Sequence, residues 1–145
     1  MHSAVPILRV RDLSSAVDYY VNKLGFKLDW QQPGLFASIT RDRCALMLSE
    51  GDQGNPGSWV WVGVGDAAAL FEEMRGKGAI VQMPLTNFSW ALEMHIEDPD
   101  GNVIRFGSDT IKGQPYGPWV DMNRRRWIAN PDGGWTADGS GNGKD

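Results

Sequence analysis

The stretch Trp59-Val60-Trp61-Val62-Gly63-Val64-Gly65-Asp66 is an apolar strand pattern that leads through an aspartate into a helical pattern. Side chains of a strand alternate between its two faces, so both indoles must share one face while the valines occupy the other. Valines are typical of a core face, and a pair of indoles indicates a face that contacts a ligand. The stretch therefore predicts a sheet with one buried face and one ligand-facing face.

The same order of strand, aspartate and helix occurs 54 residues earlier, where the strand pattern 5–10 leads to Asp12 as the other leads to Asp66. Each aspartate is placed to cap the helix that follows it. Apolar residues then recur at i, i+3, i+4 and i+7, which is one helical face. These are Leu13, Ala16, Val17 and Tyr20 in the first copy and Ala67, Leu70, Phe71 and Met74 in the second. The repeat predicts two similar modules.

Three strand patterns follow each helix, so the sequence predicts an α+β fold of two βαβββ modules, at about residues 3–50 and 58–108. Asp98-Pro99-Asp100-Gly101-Asn102 has strong turn chemistry and predicts the last hairpin. The predicted strands after the helices are Phe26 to Trp30, Leu35 to Thr40, Cys44 to Ser49, Ala79 to Met83, Trp90 to Glu97 and Val103 to Gly107.

The composition restricts the class of protein and its partners. The 145 residues carry a net charge of −4, which gives no electrostatic basis for binding nucleic acid or an anionic membrane. Cys44 is the single cysteine, and the sequence has neither a signal-peptide pattern nor an apolar run of membrane-spanning length. We expect a cytoplasmic protein.

Residues 1–108 form the predicted domain, and residues 109–145 form a C-terminal extension of different composition. Trp119, Trp127 and Trp135 recur there every eight residues. We expect residues 111–128 to form an arm that lies over the sheet or reaches a partner subunit, and Arg124-Arg125-Arg126 to be a solvated patch. The last ten or so residues are rich in Gly, Asp, Ser and Asn, so we expect disorder there unless Trp135 docks.

The motifs Val10-Arg11-Asp12-Leu13, Leu24-Gly25-Phe26 and 98–102 resemble the vicinal oxygen chelate superfamily, which contains glyoxalase I, extradiol dioxygenases, fosfomycin-resistance enzymes and the bleomycin-resistance proteins. The resemblance covers residues 3 to about 108. It implies paired βαβββ modules whose curved sheets enclose a cleft, usually in a dimer.

Most catalytic members of that superfamily hold a divalent metal in the cleft, with His and Glu ligands from the first and last strands of each module. The matching positions are Val5, Trp59 and Arg105, with Leu46 or Leu48 at the fourth. Such side chains do not ligate a hard or borderline metal. His95 shares the parity of Glu93 and Glu97, and we interpret it as a surface strand residue. We therefore expect no metal, no cofactor and no catalytic residue.

Within the superfamily the chain is most similar to the bleomycin-resistance binding proteins, which sequester a flat, cationic glycopeptide at the interfaces of a dimer. The resemblance places a ligand site at Asp29, Trp30, Phe36 and Trp90, beside Trp59 and Trp61. Arg105, at the position matched to a metal ligand, is included as a cleft residue; facing the cleft, it would oppose a cationic ligand unless Asp29, Glu50 or another carboxylate pairs with it. Dimers of these relatives exchange the N-terminal strand through a proline hinge, and Pro6 stands at that place.

These observations predict a metal-free homodimer that sequesters an aromatic, cationic small molecule such as a bleomycin-family antibiotic and confers resistance. Two alternatives stay open. One is a metal-dependent superfamily enzyme, a lyase, dioxygenase or thiol transferase with an atypical site. The other is a binding protein for a different planar metabolite. Trp90 has the strand parity of Leu92, Met94 and Ile96, which leaves a core position as the competing interpretation for that residue.

Overall fold

A computed structural model describes residues 1–139 of the chain as two four-stranded sheets, each with one helix, and a small third sheet. The elements are, in chain order, β1 (Ile7–Arg9), α1 (Leu13–Asn22), β2 (Lys27–Gln32), β3 (Phe36–Arg41), β4 (Cys44–Ser49), β5 (Trp59–Gly63), α2 (Ala67–Gly76), β6 (Ile80–Asn87), β7 (Leu92–Glu97), β8 (Val103–Ser108), β9 (Trp119–Val120), β10 (Arg126–Ala129) and β11 (Trp135–Ala137).

The two modules repeat one topology, which confirms the predicted pair of βαβββ units. The strand orders are β1-β4-β3-β2 and β5-β8-β7-β6, and in each sheet the first strand pairs in parallel with the last strand of its module. The other strand pairs of these two sheets are antiparallel. The helix that separates the first strand from the next three makes the parallel pairing possible.

The aspartates cap both helices as predicted. Asp12 Oδ1 accepts a hydrogen bond from the backbone N–H of Ser15 at 2.8 Å, and Asp66 Oδ1 accepts one from Ala69 at 2.9 Å. Each cap satisfies a backbone donor that the first helical turn leaves free. Beyond α1 the chain reverses at Gly25, whose φ of +72° is a left-handed conformation that glycine adopts readily.

One hydrophobic core joins the two modules. It lies between the helices and the sheet faces that they cover, and it includes Leu8, Leu13, Tyr20, Ile39, Leu46, Leu48, Met74, Met94, Ile96, Ile104 and Phe106. Val60, Val62 and Val64 pack against this cluster, so the valine face of β5 is the core face, as the sequence predicts.

The turn before β8 connects the modules through the carboxylate of Asp98. Its Oδ1 accepts hydrogen bonds from the backbone N–H groups of Asp100 at 2.8 Å and Asn102 at 2.9 Å. Its Oδ2 accepts the hydroxyl of Tyr20 in α1 and the Asn102 amide, each at 2.9 Å. Burial raises the pKa of Asp98, although these donors act in the opposite direction. A second-module turn is thus bonded to the first-module helix.

Asn102 extends the same connection to two further segments. Its Nδ2 also donates to the carbonyl oxygen of Arg9 at the end of β1, at 2.9 Å, and its Oδ1 accepts from the backbone N–H of Ser58, at 3.0 Å. The side chain is fully buried. The segment that begins the second module therefore shares one amide with the first strand of the chain.

The C-terminal extension lies over the second sheet of its own chain, which is one of the two positions expected for the arm. Gln82 Nε2 donates to the carbonyl oxygen of Asp121 at 2.7 Å, and Asn87 Nδ2 donates to that of Ile111 at 3.0 Å. The expected solvated arginine patch is partly engaged, because Arg124 pairs with Glu97 and Arg126 pairs with Asp138.

The sequence predicts disorder at the C-terminal end of the chain unless Trp135 docks. Trp135 does dock, in β11, with its ring centroid 6.1 Å from that of Trp90. Of the last ten residues, Thr136 and Ala137 continue β11, and residues 140–145 lie outside the described residues. Within residues 1–139, neither helix is long and apolar enough to cross a membrane.

The connection through Asn102 predicts a large effect of one substitution. Asn102→Ala leaves the Ser58 N–H, the Arg9 carbonyl and Asp98 each short of a buried partner, so we expect the free energy of unfolding to fall on the order of 3 kcal/mol. Urea denaturation measures this change. Asn22→Ala, at an exposed asparagine at the end of α1, is the control and should have little effect. Equal stability of the two variants would contradict the prediction.

Candidate ligand-binding site

The face of the second sheet that points away from the helices carries one part of the residues expected at the site. Trp61, Arg105 and His95 lie side by side across β5, β8 and β7, because the strand register pairs Arg105 with both others. The Trp61 ring lies close to Gly63 and Gly107, where a Cβ atom would come within 3.0 Å and 3.1 Å of its carbons. Two glycines thus allow an indole to lie against the sheet.

Glu93 is at the centre of a polar network on this face. Its buried carboxylate accepts hydrogen bonds from Arg105 Nε at 2.6 Å and from Trp90 Nε1 at 3.0 Å, and it lies 3.0 Å from His95 Nε2. Burial alone would raise the pKa of Glu93, but the bonds to His95, Arg105 and Trp90 lower it to about 2. Glu93 is therefore ionised, and it supplies the carboxylate partner that Arg105 requires.

The interpretation of His95 as a surface residue is wrong, because its side chain is fully buried. The C-terminal extension covers this face of β7, and the Trp119 ring centroid lies 4.6 Å from that of the imidazole. Trp59 packs on it at 5.1 Å, and Nδ1 lies 2.8 Å from Gln82 Oε1. Burial lowers the pKa of His95, against the raising effect of Glu93. Strand parity identified the face correctly but did not show that another segment covers it.

Trp90 does not occupy the core position that its parity suggested. Strand β7 begins at Leu92, so Trp90 belongs to the preceding loop and escapes the alternation. Its ring stacks on Phe88 at 4.6 Å and 5°, and 48% of the residue remains exposed. The hydrogen bond to Glu93 holds the indole at the edge of the outer face.

Four tryptophans surround a cavity of about 580 Å³ on this face, which we call the tryptophan chamber. Its lining residues are Trp90, Arg105, Trp119, Asp121, Trp127 and Trp135. Only Trp90 and Arg105 of this set were expected at a site. The extension supplies the other four, and the eight-residue recurrence of its tryptophans was the available signal for three of them.

Asp29, Trp30 and Phe36 come together on the first sheet. The Trp30 and Phe36 rings stack with centroids 6.1 Å apart, and Asp29 Oδ1 accepts from Thr40 Oγ1 at 3.0 Å. Phe36 and Thr40 share one face of β3. The pairing of β2 with β3 shifts register between Leu28 and Trp30, which interrupts the alternation of side chains. The neighbouring residues Asp29 and Trp30 therefore both lie on that face.

The predicted residues therefore form two groups on different sheets. The Trp30 group lies on the first sheet, whereas Trp90 and Arg105 lie at the second, as does Trp59, whose ring contacts His95. Trp61 borders a further cavity of about 810 Å³ that both modules line, and Arg41 and Glu73 form an ion pair at its wall. The lining of that cavity combines aliphatic side chains with several charged ones, Arg43 and Asp66 among them.

The positions matched to metal ligands carry side chains unsuited to that role. Val5 and Trp59 offer no ligand atom, and Arg105 carries a positive charge. At the fourth position, Leu46 and Leu48 offer no ligand atom and are buried in the core. No group of three or more His, Cys, Asp or Glu residues within residues 1–139 is arranged to hold a metal ion.

The fold and this site define the class of protein. Residues 2–106 match the family model of the Glyoxalase/Bleomycin resistance protein/Dioxygenase superfamily, and the chain belongs to that superfamily. The match ends before the extension that completes the tryptophan chamber.

Several solved structures are similar to this chain. A bleomycin-binding protein from bleomycin-producing Streptomyces verticillus, complexed with copper(II)-bleomycin, is 26% identical at a TM-score of 0.64, over 74% of this chain and 96% of that one. TioX from Micromonospora sp. ML1 is 23% identical at a TM-score of 0.64, over 74% and 98%. A glyoxalase/bleomycin resistance protein/dioxygenase from Nocardioides is 22% identical at 0.59, over 79% and 88%. No curated protein sequence matches the chain.

The Glu93 network predicts how stability depends on pH. Because the pKa of Glu93 is lowered from 4.5 to about 2 in the folded protein, its contribution is present above about pH 4.5 and is lost as the pH falls towards 2. Glu93→Gln should remove this pH-dependent contribution to the free energy of unfolding. At pH 7 the variant should be less stable than the wild type by about 2 kcal/mol, because Arg105 loses its charged partner.

Denaturant unfolding between pH 7 and pH 2.5 measures both effects. Glu72→Gln is the matched control, since Glu72 is exposed and, among residues 1–139, forms its ion pair with exposed Arg75 alone. If the free energy of unfolding fell equally with decreasing pH in Glu93→Gln and in the wild type, Glu93 would not be the group responsible.

Proposed function

We propose that this protein is a metal-free binding protein that sequesters a planar aromatic, cationic small molecule, with bleomycin-family antibiotics as the leading class, and so confers resistance. The observation that carries the proposal is the set of exposed aromatic rings on the sheet faces away from the core. Trp30, Trp61 and Trp90 are each about half exposed, and stacking partners hold two of them in place.

The charges on these faces are compatible with a cationic ligand. Glu93 pairs with Arg105, so that guanidinium no longer presents an unbalanced positive charge. Asp29 supplies a carboxylate beside Trp30. A planar heteroaromatic ring gains about 0.5–1.5 kcal/mol from stacking on an aromatic side chain beyond its area burial, and a cation gains further from the ring faces.

The relatives support this choice of ligand. The similar Streptomyces verticillus protein is a bleomycin-binding protein complexed with copper(II)-bleomycin. Its fold match spans nearly its whole length. We carry the ligand class over to this chain as part of the proposal, together with a cytoplasmic location.

We further propose that the working form is a homodimer. The two aromatic groups of one chain lie on different sheets, and a second copy would bring the first sheet of one subunit to the second sheet of the other. In this chain β1 pairs with β4 of its own first module, and Met47 N donates to the Pro6 carbonyl at 2.9 Å. In a strand-exchanged dimer, the segment before Pro6 would instead cross to the partner subunit. A structure of the two-chain assembly would test this arrangement.

Titration with metal-free bleomycin, followed by tryptophan fluorescence, tests the ligand. We expect quenching at micromolar drug or below, and an affinity about tenfold lower in Trp30→Ala and in Trp90→Ala, because each loses a stacking surface. Met122→Ala, a highly exposed apolar residue that lines neither aromatic group, is the control. No quenching at high drug concentration would reject bleomycin and leave a different planar metabolite as the ligand.

Metal analysis tests the binding-only mechanism against a superfamily enzyme. We expect freshly purified protein to contain zinc, nickel, manganese and iron far below stoichiometric amounts, and dialysis against a chelator to leave bleomycin affinity unchanged. Stoichiometric metal whose removal abolishes an activity would replace the binding protein with a metal-dependent lyase, dioxygenase or thiol transferase.

A further inference from the structure

We propose that the C-terminal extension makes the tryptophan chamber a ligand-binding compartment, which takes a planar aromatic ring system that is uncharged or positively charged. The inference rests on the proposed function and deepens it, because it assigns the ring-binding role to residues outside the superfamily match. Those residues are Trp119, Trp127 and Trp135, which act with Trp90 and Arg105 of the second module.

The arrangement of the rings leaves indole surface for a ligand. Trp90 stacks on Phe88 through one face only. The Trp135 ring is tilted by 56° to Trp90 at 6.1 Å, and the Trp119 ring by 61° at 6.2 Å, so neither covers the other face by parallel stacking. Trp90 is 48% exposed and Trp135 is 41% exposed. Clustered, half-exposed indoles around a concavity are typical of a binding surface and unusual for a packed core.

The walls of the chamber are fixed in place before any ligand arrives. Trp127 Nε1 donates to Asp121 Oδ2 at 2.9 Å, and Asp121 Oδ1 accepts the backbone N–H groups of Asn123 and Arg125. Trp119 lies with its ring centroid 4.9 Å from the Arg105 guanidinium carbon. A preformed wall costs little conformational entropy on binding, which favours affinity for a rigid, flat ligand.

The charges in and beneath the chamber select against an anion. Arg105 is neutralised by Glu93, and Asp121 contributes a further carboxylate at the wall. Within residues 1–139 the hydrogen bonds of Arg105 use Nε and Nη2, so Nη1 is available to an acceptor atom on the ligand. Arg125 lies beside Asp121 and offsets part of its charge, so the chamber that the described residues line presents no unpaired cation to attract an anion, and a neutral or cationic ring that carries such an acceptor fits it.

The volume is consistent with a drug-sized ligand. A cavity of about 580 Å³ falls within the range of small-molecule sites, roughly 300–1,000 Å³. A flat heteroaromatic segment, such as the ring pair of a bleomycin-type molecule, would fill only part of it.

The test uses the full-length protein and proflavine, a planar aromatic cation whose fluorescence polarisation reports binding. We expect the affinity for proflavine to fall about tenfold in each of two variants. Trp135→Ala loses a stacking surface, and Trp127→Phe loses the hydrogen bond to Asp121 that fixes one wall of the chamber. Ile128→Ala is the matched control, because Ile128 follows Trp127 on β10, is 48% exposed and does not line the chamber. Unchanged thermal melting of Trp135→Ala would establish that its fold is intact.

A second arm tests the charge preference. Anthracene-9-carboxylate, a planar anion of similar ring size, should displace proflavine with an inhibition constant at least about tenfold higher than the dissociation constant of proflavine. Equal or tighter binding of the anion would overturn the proposed ligand class.

The outcomes separate this inference from the proposed function. If proflavine and bleomycin bind, and Trp135→Ala and Trp127→Phe behave like Ile128→Ala while Trp30→Ala loses affinity, the chamber is not the site and the binding function stands. If neither compound binds the wild type, both proposals fail. If both compounds bind and affinity falls in Trp135→Ala and Trp127→Phe but not in Ile128→Ala, the extension carries a ring-binding role, and a parallel loss in Trp30→Ala means that the first sheet contributes to the same ligand.

Discussion

The buried pair of Asp98 and Asn102 is the constraint on which the relative placement of the modules depends. The two side chains satisfy donors and acceptors from the turn itself, the first helix, the end of the first strand and the segment before the second module. A buried polar network of this kind is stabilising only when every member is satisfied. It fixes where β8 begins, and therefore where Arg105 meets the outer face.

The Glu93–Arg105 pair has a comparable role in the chemistry of that face. A lone arginine there would repel a cation, whereas the buried carboxylate 2.6 Å away balances the charge and also orients Trp90. Because Trp119 covers the network, the pair is partly shielded from water and its electrostatic effect is stronger than on an open surface. The outer face is thereby suited to flat rings.

The sequence could predict features that depend on nearest neighbours along the chain. Alternation in β5 gave the core face of the valines, Asp12 and Asp66 gave both helix starts, and the repeat gave the paired modules. Predictions failed where the outcome depended on a distant segment. Parity cannot show that Trp119 covers His95 or that Trp90 lies outside its strand, since alternation defines two faces without saying what lies against each.

The sequence by itself determined the superfamily fold, because periodicity, capping residues and the turn 98–102 are local codes that act within a few residues. Only the tertiary structure decided the composition of the site. The extension folds back over the second sheet and adds three tryptophans to Trp90, which is separated from them by 29 residues or more in sequence. That association is set by long-range packing of apolar surface and by hydrogen bonds such as that from Gln82 to Asp121, which no local pattern encodes.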